Sequence, residues 1–226
     1  MAAGEQEGPR EKDQIREMSN EKMYDQWSAT YDRVENKTRD LEKQACERVL
    51  GGVKFETVIE IGSGTGKNTS WLASRASRVF SVDLSAEMQS VAKSKIITDN
   101  VEFIQGDIRG AWKFINNTVD LVTCSLVLEH VEDLGHVFRN TFRHLRPGGY
   151  FYVCELHPFK QYAGSKARFE ADGETHVLDC YPHHVTDYTE AAAASGFAIG
   201  RIDEWFDKDD RAEIPRLISF LFKRGT

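Results

Sequence analysis

Four cysteines in 226 residues, Cys46, Cys124, Cys154 and Cys180, are too few and too widely spaced for a disulfide framework, and none forms a Cys-x-x-Cys pair. Cys124 and Cys154 fall inside apolar runs, where a free cysteine behaves as a small hydrophobe. The expectation is reduced, structural thiols in a cytoplasmic chain. No apolar stretch approaches the roughly 20 residues that span a bilayer, so no membrane role is expected. Met1–Arg10 lacks the apolar centre of a signal peptide. A dense basic run is also missing: 29 Lys and Arg stand against 36 Asp and Glu, a net charge of −7. Nucleic-acid binding relies on neutralising phosphates, so this balance disfavours DNA or RNA as substrate. Seven histidines are present, but their spacing supports no metal site.

What the chain does have is Val58–Ile–Glu–Ile–Gly62–Ser–Gly64–Thr–Gly66, followed about 20 residues later by Ser81–Val–Asp83. This reads as a buried strand, a glycine turn, a helix and a second strand ending in an acid. Glycines let a ligand lie against bare backbone. An acid at the neighbouring strand's carboxyl end can accept both hydroxyls of a ribose. A Walker phosphate loop is excluded, because Ile61 occupies its first glycine position and Asn68 its hydroxyl position. A dinucleotide fingerprint also fails, since its third glycine falls on Lys67 or Thr69.

The pattern Gly-x-Gly-x-Gly preceded by Glu60 resembles the first motif of class I S-adenosylmethionine-dependent methyltransferases. Further matches follow in order: Gln105–Gly–Asp107–Ile108, Val119–Ser125, Leu128–Glu–His130–Val131, and Leu145–Arg–Pro147–Gly–Gly149 before Tyr150–Cys154. The resemblance runs from about Tyr24 to the C-terminus and is nearest to the small-molecule branch. It implies a cofactor site at Gly62, Ser63, Gly64 and Gly66, with Asp83 and Leu84 at the ribose and Asp107 and Ile108 at the adenine. Ser125 would end the fourth strand beside the same ligand. Met88 would wall the adenosine, and Tyr24 and Tyr31 would line the cleft from an N-terminal helix. Arg39 is a candidate partner for the cofactor carboxylate. Glu60, an acid inside an apolar strand, needs a partner, and either serves the amino group or orients the turn.

At this length one domain is the simplest organisation: a disordered tail at 1–13, then a single domain at 14–226. Its first part, 14–52, is a helical cap. Met23, Tyr24, Trp27 and Tyr31 share one helix face, and Leu41, Ala45, Val49 and Leu50 a second. Strands alternating with helices then imply a mostly parallel sheet. With Phe197–Phe206 and Arg216–Lys223 as an antiparallel pair at the edge, the expectation is a seven-stranded, Rossmann-like, doubly wound α/β fold. Asp133–Leu145 is the clearest helix, stopped by Pro147–Gly149. Residues 157–184 read as an insertion on the substrate side, with a hairpin turning at Asp172–Gly173.

The implied reaction is an in-line methyl transfer to an O, N or S of a small-molecule acceptor, in which alignment supplies roughly 7–11 kcal/mol. A hydroxyl acceptor also gains from a general base, and a neutral amine or thiolate does not. Cys154–Glu155–Leu–His157–Pro158 ends the fifth strand on the acceptor face, so His157 and Glu155 are the expected catalytic pair. Phe159, Tyr162, Phe169 and Tyr181 are expected to wall a pocket for an apolar or aromatic molecule. A cofactor-binding regulatory or partner subunit and a protein-directed methyltransferase are the alternatives. The acceptor's identity and the oligomeric state are not written in these motifs.

Overall fold

The computed structural model describes residues 19–171 and 173–226, so the expected tail at 1–13, the first residues of the helical cap and Asp172 of the hairpin lie outside the described residues. Two helices come first, α1 (Asn20–Tyr31) and α2 (Lys37–Leu50). Asn36 caps α2 by accepting from the backbone N–H groups of Thr38 and Arg39. The alternating part follows as β1 (Thr57–Ile61), α3 (Thr69–Ala73), β2 (Arg78–Asp83), α4 (Ala86–Lys95), β3 (Val101–Gln105), β4 (Val119–Ser125), α5 (Leu134–His144) and β5 (Leu145–Leu156). A short helix α6 (Pro158–Tyr162) and a separate antiparallel hairpin, β6 (Arg168–Ala171) and β7 (Glu174–Val177), form the insertion. The chain closes with α7 (Val185–Ser195), β8 (Phe197–Trp205) and β9 (Leu217–Arg224).

The main sheet has seven strands in the order β3-β2-β1-β4-β5-β9-β8. β1 to β5 pair in parallel, and β9 runs antiparallel between β5 and β8. The order reverses between β1 and β4, which opens a crevice beyond the carboxyl ends of those strands. Both faces of the sheet are covered, which is why β1 and β4 are buried along most of their length. On one face Phe138 of α5 packs on Phe151 and Phe222. On the other, Ala45 and Leu50 of α2 pack on Leu121 and Tyr152. Burying each large side chain of these layers contributes about 1.5–3 kcal/mol, so sheet burial dominates and the loops at the crevice are free to carry polar groups.

Two boundaries differ from expectation. The helix after the glycine turn begins at Thr69, not at Gly66, because residues 65–68 stay in a turn around the crevice. Pro147–Gly149 does not stand before β5 as a separate stop. β5 already starts at Leu145, with a register shift between Val119 and Leu121 of its neighbour that absorbs the extra residues. Among the described residues no helix is long and apolar enough to cross a membrane.

Candidate active site

The backbone of Gly62 and Ser63 turns back onto the end of β2, each N–H donating to the carbonyl of Val82 (2.8 and 3.1 Å). Gly62 has φ +67°, and a Cβ there would sit 2.0 Å from Val127 Cγ2. Gly64 has φ +53° with open space where its Cβ would be, so its missing side chain leaves room for a ligand and not for packing. Gly66 differs from both: it packs against Ile96 and Ala92 of α4 and borders no part of the crevice.

Three cavities meet around this turn. The first, about 740 Å³ counted to its open mouth, is lined by Tyr24, Tyr31, Gly62, Gly64, Asp83, Leu84, Met88, Asp107 and Ile108. All nine were expected from sequence. Asp83 accepts from Gly64 N–H at 2.7 Å and from Ser85 N–H at 2.9 Å, so the turn and the acid hold each other in register. Burial raises its pKa in spite of those bonds. Asp107 is ion-paired with Arg109 at 2.8 Å, which lowers its pKa. Arg109 also lines the cavity, and no sequence signal marked it.

The second cavity joins the first at the glycines and is polar. Arg39, Glu42, Glu60, Ser63 and Ser125 line it. Glu60 is buried, accepts a hydrogen bond from Thr69 Oγ1 at 2.5 Å, and is pushed up to about 8, chiefly by burial. Glu42, absent from the sequence expectations, is also buried and accepts from Asn68 Nδ2. The signal was available: Glu42 lies in register with Cys46 and Val49, on the buried side of α2. The hydroxyls of Ser63 and Thr123 are buried here with no hydrogen-bond partner among the described residues, and that of Ser125 faces Glu42. Orphaned hydroxyls and two buried acids on one cavity wall suit a polar occupant that offsets their desolvation. Arg39 lies over the Tyr31 ring at 3.9 Å and donates to the carbonyl of Val34 at 2.9 Å. Those partners are neutral, so its charge is still available to an anion.

The third cavity lies under α1 and the insertion and shares Tyr31 and Arg39 with the second. Leu126, common to both, has φ +57°, a left-handed conformation costing about 1–3 kcal/mol for a residue that is not glycine. Glu129 borders this third cavity, buried, with Oε2 unpartnered. Beside it His130 Nδ1 lies 2.8 Å from the carbonyl of Asp179, so Nδ1 carries the proton. Its Nε2 then accepts from the Tyr24 hydroxyl at 2.9 Å, tying α1 to the turn after β4.

The expected catalytic pair is not here. His157 is 2% exposed and borders none of the three cavities. Its Nδ1 accepts from Phe159 N–H at 3.2 Å, and Nε2 faces Glu204 of β8 at 3.2 Å. Its backbone N–H pairs with Arg216, so the end of β5 follows β9 toward the antiparallel edge, away from the crevice. Glu155 is 1% exposed and accepts from the N–H groups of Val127 and Leu128, both at 3.0 Å, as an anchor for the turn. The aromatic wall is also missing. Phe159, Tyr162 and Tyr181 are exposed, and Phe169 is buried in a stack with Trp27.

Comparisons with known proteins agree with the fold. Residues 59–153 match the family model described as a methyltransferase domain. A demethylmenaquinone methyltransferase of Clavibacter sepedonicus is 29% identical over 139 residues, covering 59% of this chain and 56% of that protein. The ubiquinone/menaquinone biosynthesis C-methyltransferase UbiE of Klebsiella pneumoniae is 34% identical over 118 residues, covering 49% and 45%. The chain thus spans about half the length of these relatives. Among solved structures, DhpI in a SAM–HEP complex is 25% identical, with a TM-score of 0.71 over 89% of this chain and 94% of that one. An S-adenosylmethionine dependent methyltransferase from Mesorhizobium loti has the same fold, at 22% identity and a TM-score of 0.68 over 81% and 98%. With the motif order, the strand order and these matches in agreement, residues 59–153 form a methyltransferase domain, and the chain has the fold of the S-adenosylmethionine-dependent methyltransferases.

Proposed function

We propose that the chain transfers a methyl group from S-adenosylmethionine to a nucleophilic oxygen, nitrogen or sulfur of a small-molecule acceptor. The observation that carries this reading is the meeting of an apolar cavity ending in Asp83, a polar cavity with orphaned hydroxyls, and a third, larger cavity at Tyr31. Leu84, Met88 and Ile108 would enclose the adenine, and Asp83 would accept from the ribose hydroxyls. Arg39 would pair with the amino-acid carboxylate, and Glu42 and Glu60 would answer the ammonium group. The bound cofactor supplies an electrophilic methyl carbon on a sulfonium. The chain's own work is to align an acceptor in the third cavity and to keep water out, with Tyr24, Tyr31 and the Trp27–Phe169 stack as its cover.

For a hydroxyl acceptor, Glu129 is our candidate proton acceptor, because its free Oε2 borders that cavity; an amine or thiolate would need no base. The reading is tested by calorimetry with S-adenosylmethionine and its demethylated product, then by an acceptor screen with methyl-labelled cofactor and mass spectrometry. Cofactor binding without any methylated product would favour a regulatory or partner subunit, and a labelled protein would favour a protein-directed enzyme.

A further inference from the structure

The third cavity has an unexpected charge. Five cations line it, Lys37, Arg39, Lys166, Arg168 and Arg216, against two carboxylates, Glu35 and Glu129, in a chain whose net charge is −7. Arg216 is already answered by Asp207, whose carboxylate takes Nε at 2.6 Å. Arg39 bonds only to neutral carbonyls, and Lys37, Lys166 and Arg168 form no ion pair among the described residues. Setting aside Arg216, and Arg39 as the proposed partner of the cofactor carboxylate, leaves three cations, Lys37, Lys166 and Arg168, facing two carboxylates. The cations arrive from separate elements, the first turn of α2 and the segment entering β6, so the excess is not the accident of one solvated helix face. Residues Asn36 to Arg39, at the positive end of the α2 dipole, open onto the same space.

Such a wall is badly matched to an apolar acceptor, which would strip water from the cations and return nothing. A concave surface of one sign also concentrates oppositely charged small molecules. We propose that the acceptor carries an oxyanion, a carboxylate or phosphoryl group, recognised by Lys166 and Arg168 with Lys37. Arg168 offers a planar fork that fits either group with two hydrogen bonds, and the lysines add point charges. This rests on the methyl-transfer reading, because it describes the acceptor of that same site.

The test uses the full chain saturated with S-adenosylhomocysteine. Inorganic phosphate and glutarate are titrated separately by calorimetry, into the wild type and into the double variant Lys166→Glu/Arg168→Glu. At least one anion binds saturably to the wild type, and the stronger of the two tells phosphoryl from carboxylate recognition. The double variant weakens that binding by on the order of tenfold or more and leaves S-adenosylhomocysteine affinity unchanged, which also shows that it is folded. If neither anion binds, or binding survives the double charge reversal, the proposal is overturned. A neutral methylated product whose acceptor KM is the same in the double variant overturns it as well. A chain that fails to bind S-adenosylhomocysteine refutes the methyl-transfer reading instead, and the anion titrations of the free chain still report on the cavity.

Discussion

Asp83→Ala tests the centre of the proposed cofactor site, and the structure divides its effect into two parts. The carboxylate holds the Gly64 and Ser85 N–H groups at 2.7 and 2.9 Å while it lines the first cavity. Each oxygen keeps a further lone pair for a ribose hydroxyl. Hydrogen bonds to a charged group contribute about 1.5–3 kcal/mol, so losing the ribose contact weakens cofactor binding on the order of 10- to 100-fold. Gly64 is half-buried and Ser85 is buried, so losing their acceptor should cost stability by about 1–3 kcal/mol, roughly 2–12 °C in melting temperature for a domain of this size. Asp83→Asn is the sharper variant. One of its two polar atoms becomes a donor, so it must face a backbone N–H that is also a donor, and it cannot hold both anchors. Titration calorimetry with S-adenosylhomocysteine, with melting curves alongside, separates the two parts. Because burial raises the Asp83 pKa, wild-type affinity falls as pH drops through that raised value, and Asp83→Ala loses this dependence. A folded Asp83→Ala protein with wild-type affinity would refute the ribose assignment.

The other predictions concern stability and roles. Gly62→Ala places a Cβ 2.0 Å from Val127 Cγ2 and should prevent stable folding, whereas Gly64→Ala should fold and lose cofactor affinity; circular dichroism and calorimetry check the contrast. His157→Ala should leave cofactor affinity and turnover unchanged and lower the melting temperature, because His157 caps α6; a loss confined to turnover would return it to the acceptor site. Burial pushes Glu60 and Glu155 up to about 8 from an ordinary 4.5. Between those values the folded chain keeps protons that the unfolded chain releases, so stability falls as pH rises through the window and levels off above about 8. Glu155→Gln keeps an oxygen for the Val127 and Leu128 N–H groups and removes the ionisation. Its melting temperature should therefore gain on the wild type as pH rises from about 6 to about 8.5, and an unchanged gap across that range contradicts the buried-acid account.

The residues that line the proposed cofactor cavities were legible because their information is local. Strand, glycine turn and terminal acid are close in sequence, and parallel pairing carries Asp83 and Asp107 to one edge of the sheet whatever happens elsewhere. The capping signals worked for the same reason. Ser85 caps α4 by accepting from Met88 N–H, and Asp133 caps α5 by accepting from His136 N–H. In α7 the cap is His184, and Asp187, one turn in, accepts from the His184 N–H. Apolar periodicity found the α2 face but not Glu42, because an acid on a buried stripe looks like an error in the pattern until a cavity is seen beside it.

The expected acceptor side differs from the one proposed here because its information is tertiary. Alternation along β5 says which face a side chain takes within the sheet, but His157 lies one residue past the strand. There the chain's direction is set by Arg216 pairing with the His157 backbone. In the insertion, four aromatics suggested an apolar wall. Which of them turns inward is decided by the Trp27–Phe169 stack, a contact between α1 and β6 across more than half of the chain. With Phe169 committed to α1, neighbouring Arg168 and Lys166 border the cavity while Phe159 and Tyr162 stay outside. The insertion thus brings cations, and not its own aromatics, to a cavity that Tyr24, Trp27 and Tyr31 line from α1. It follows that Phe169→Ala should disturb acceptor recognition more than cofactor binding, although Phe169 itself borders neither of the cofactor cavities. Acceptor KM measured beside S-adenosylhomocysteine affinity decides this, and a loss confined to the cofactor would show that the stack holds α1 over the cleft and does not orient the insertion.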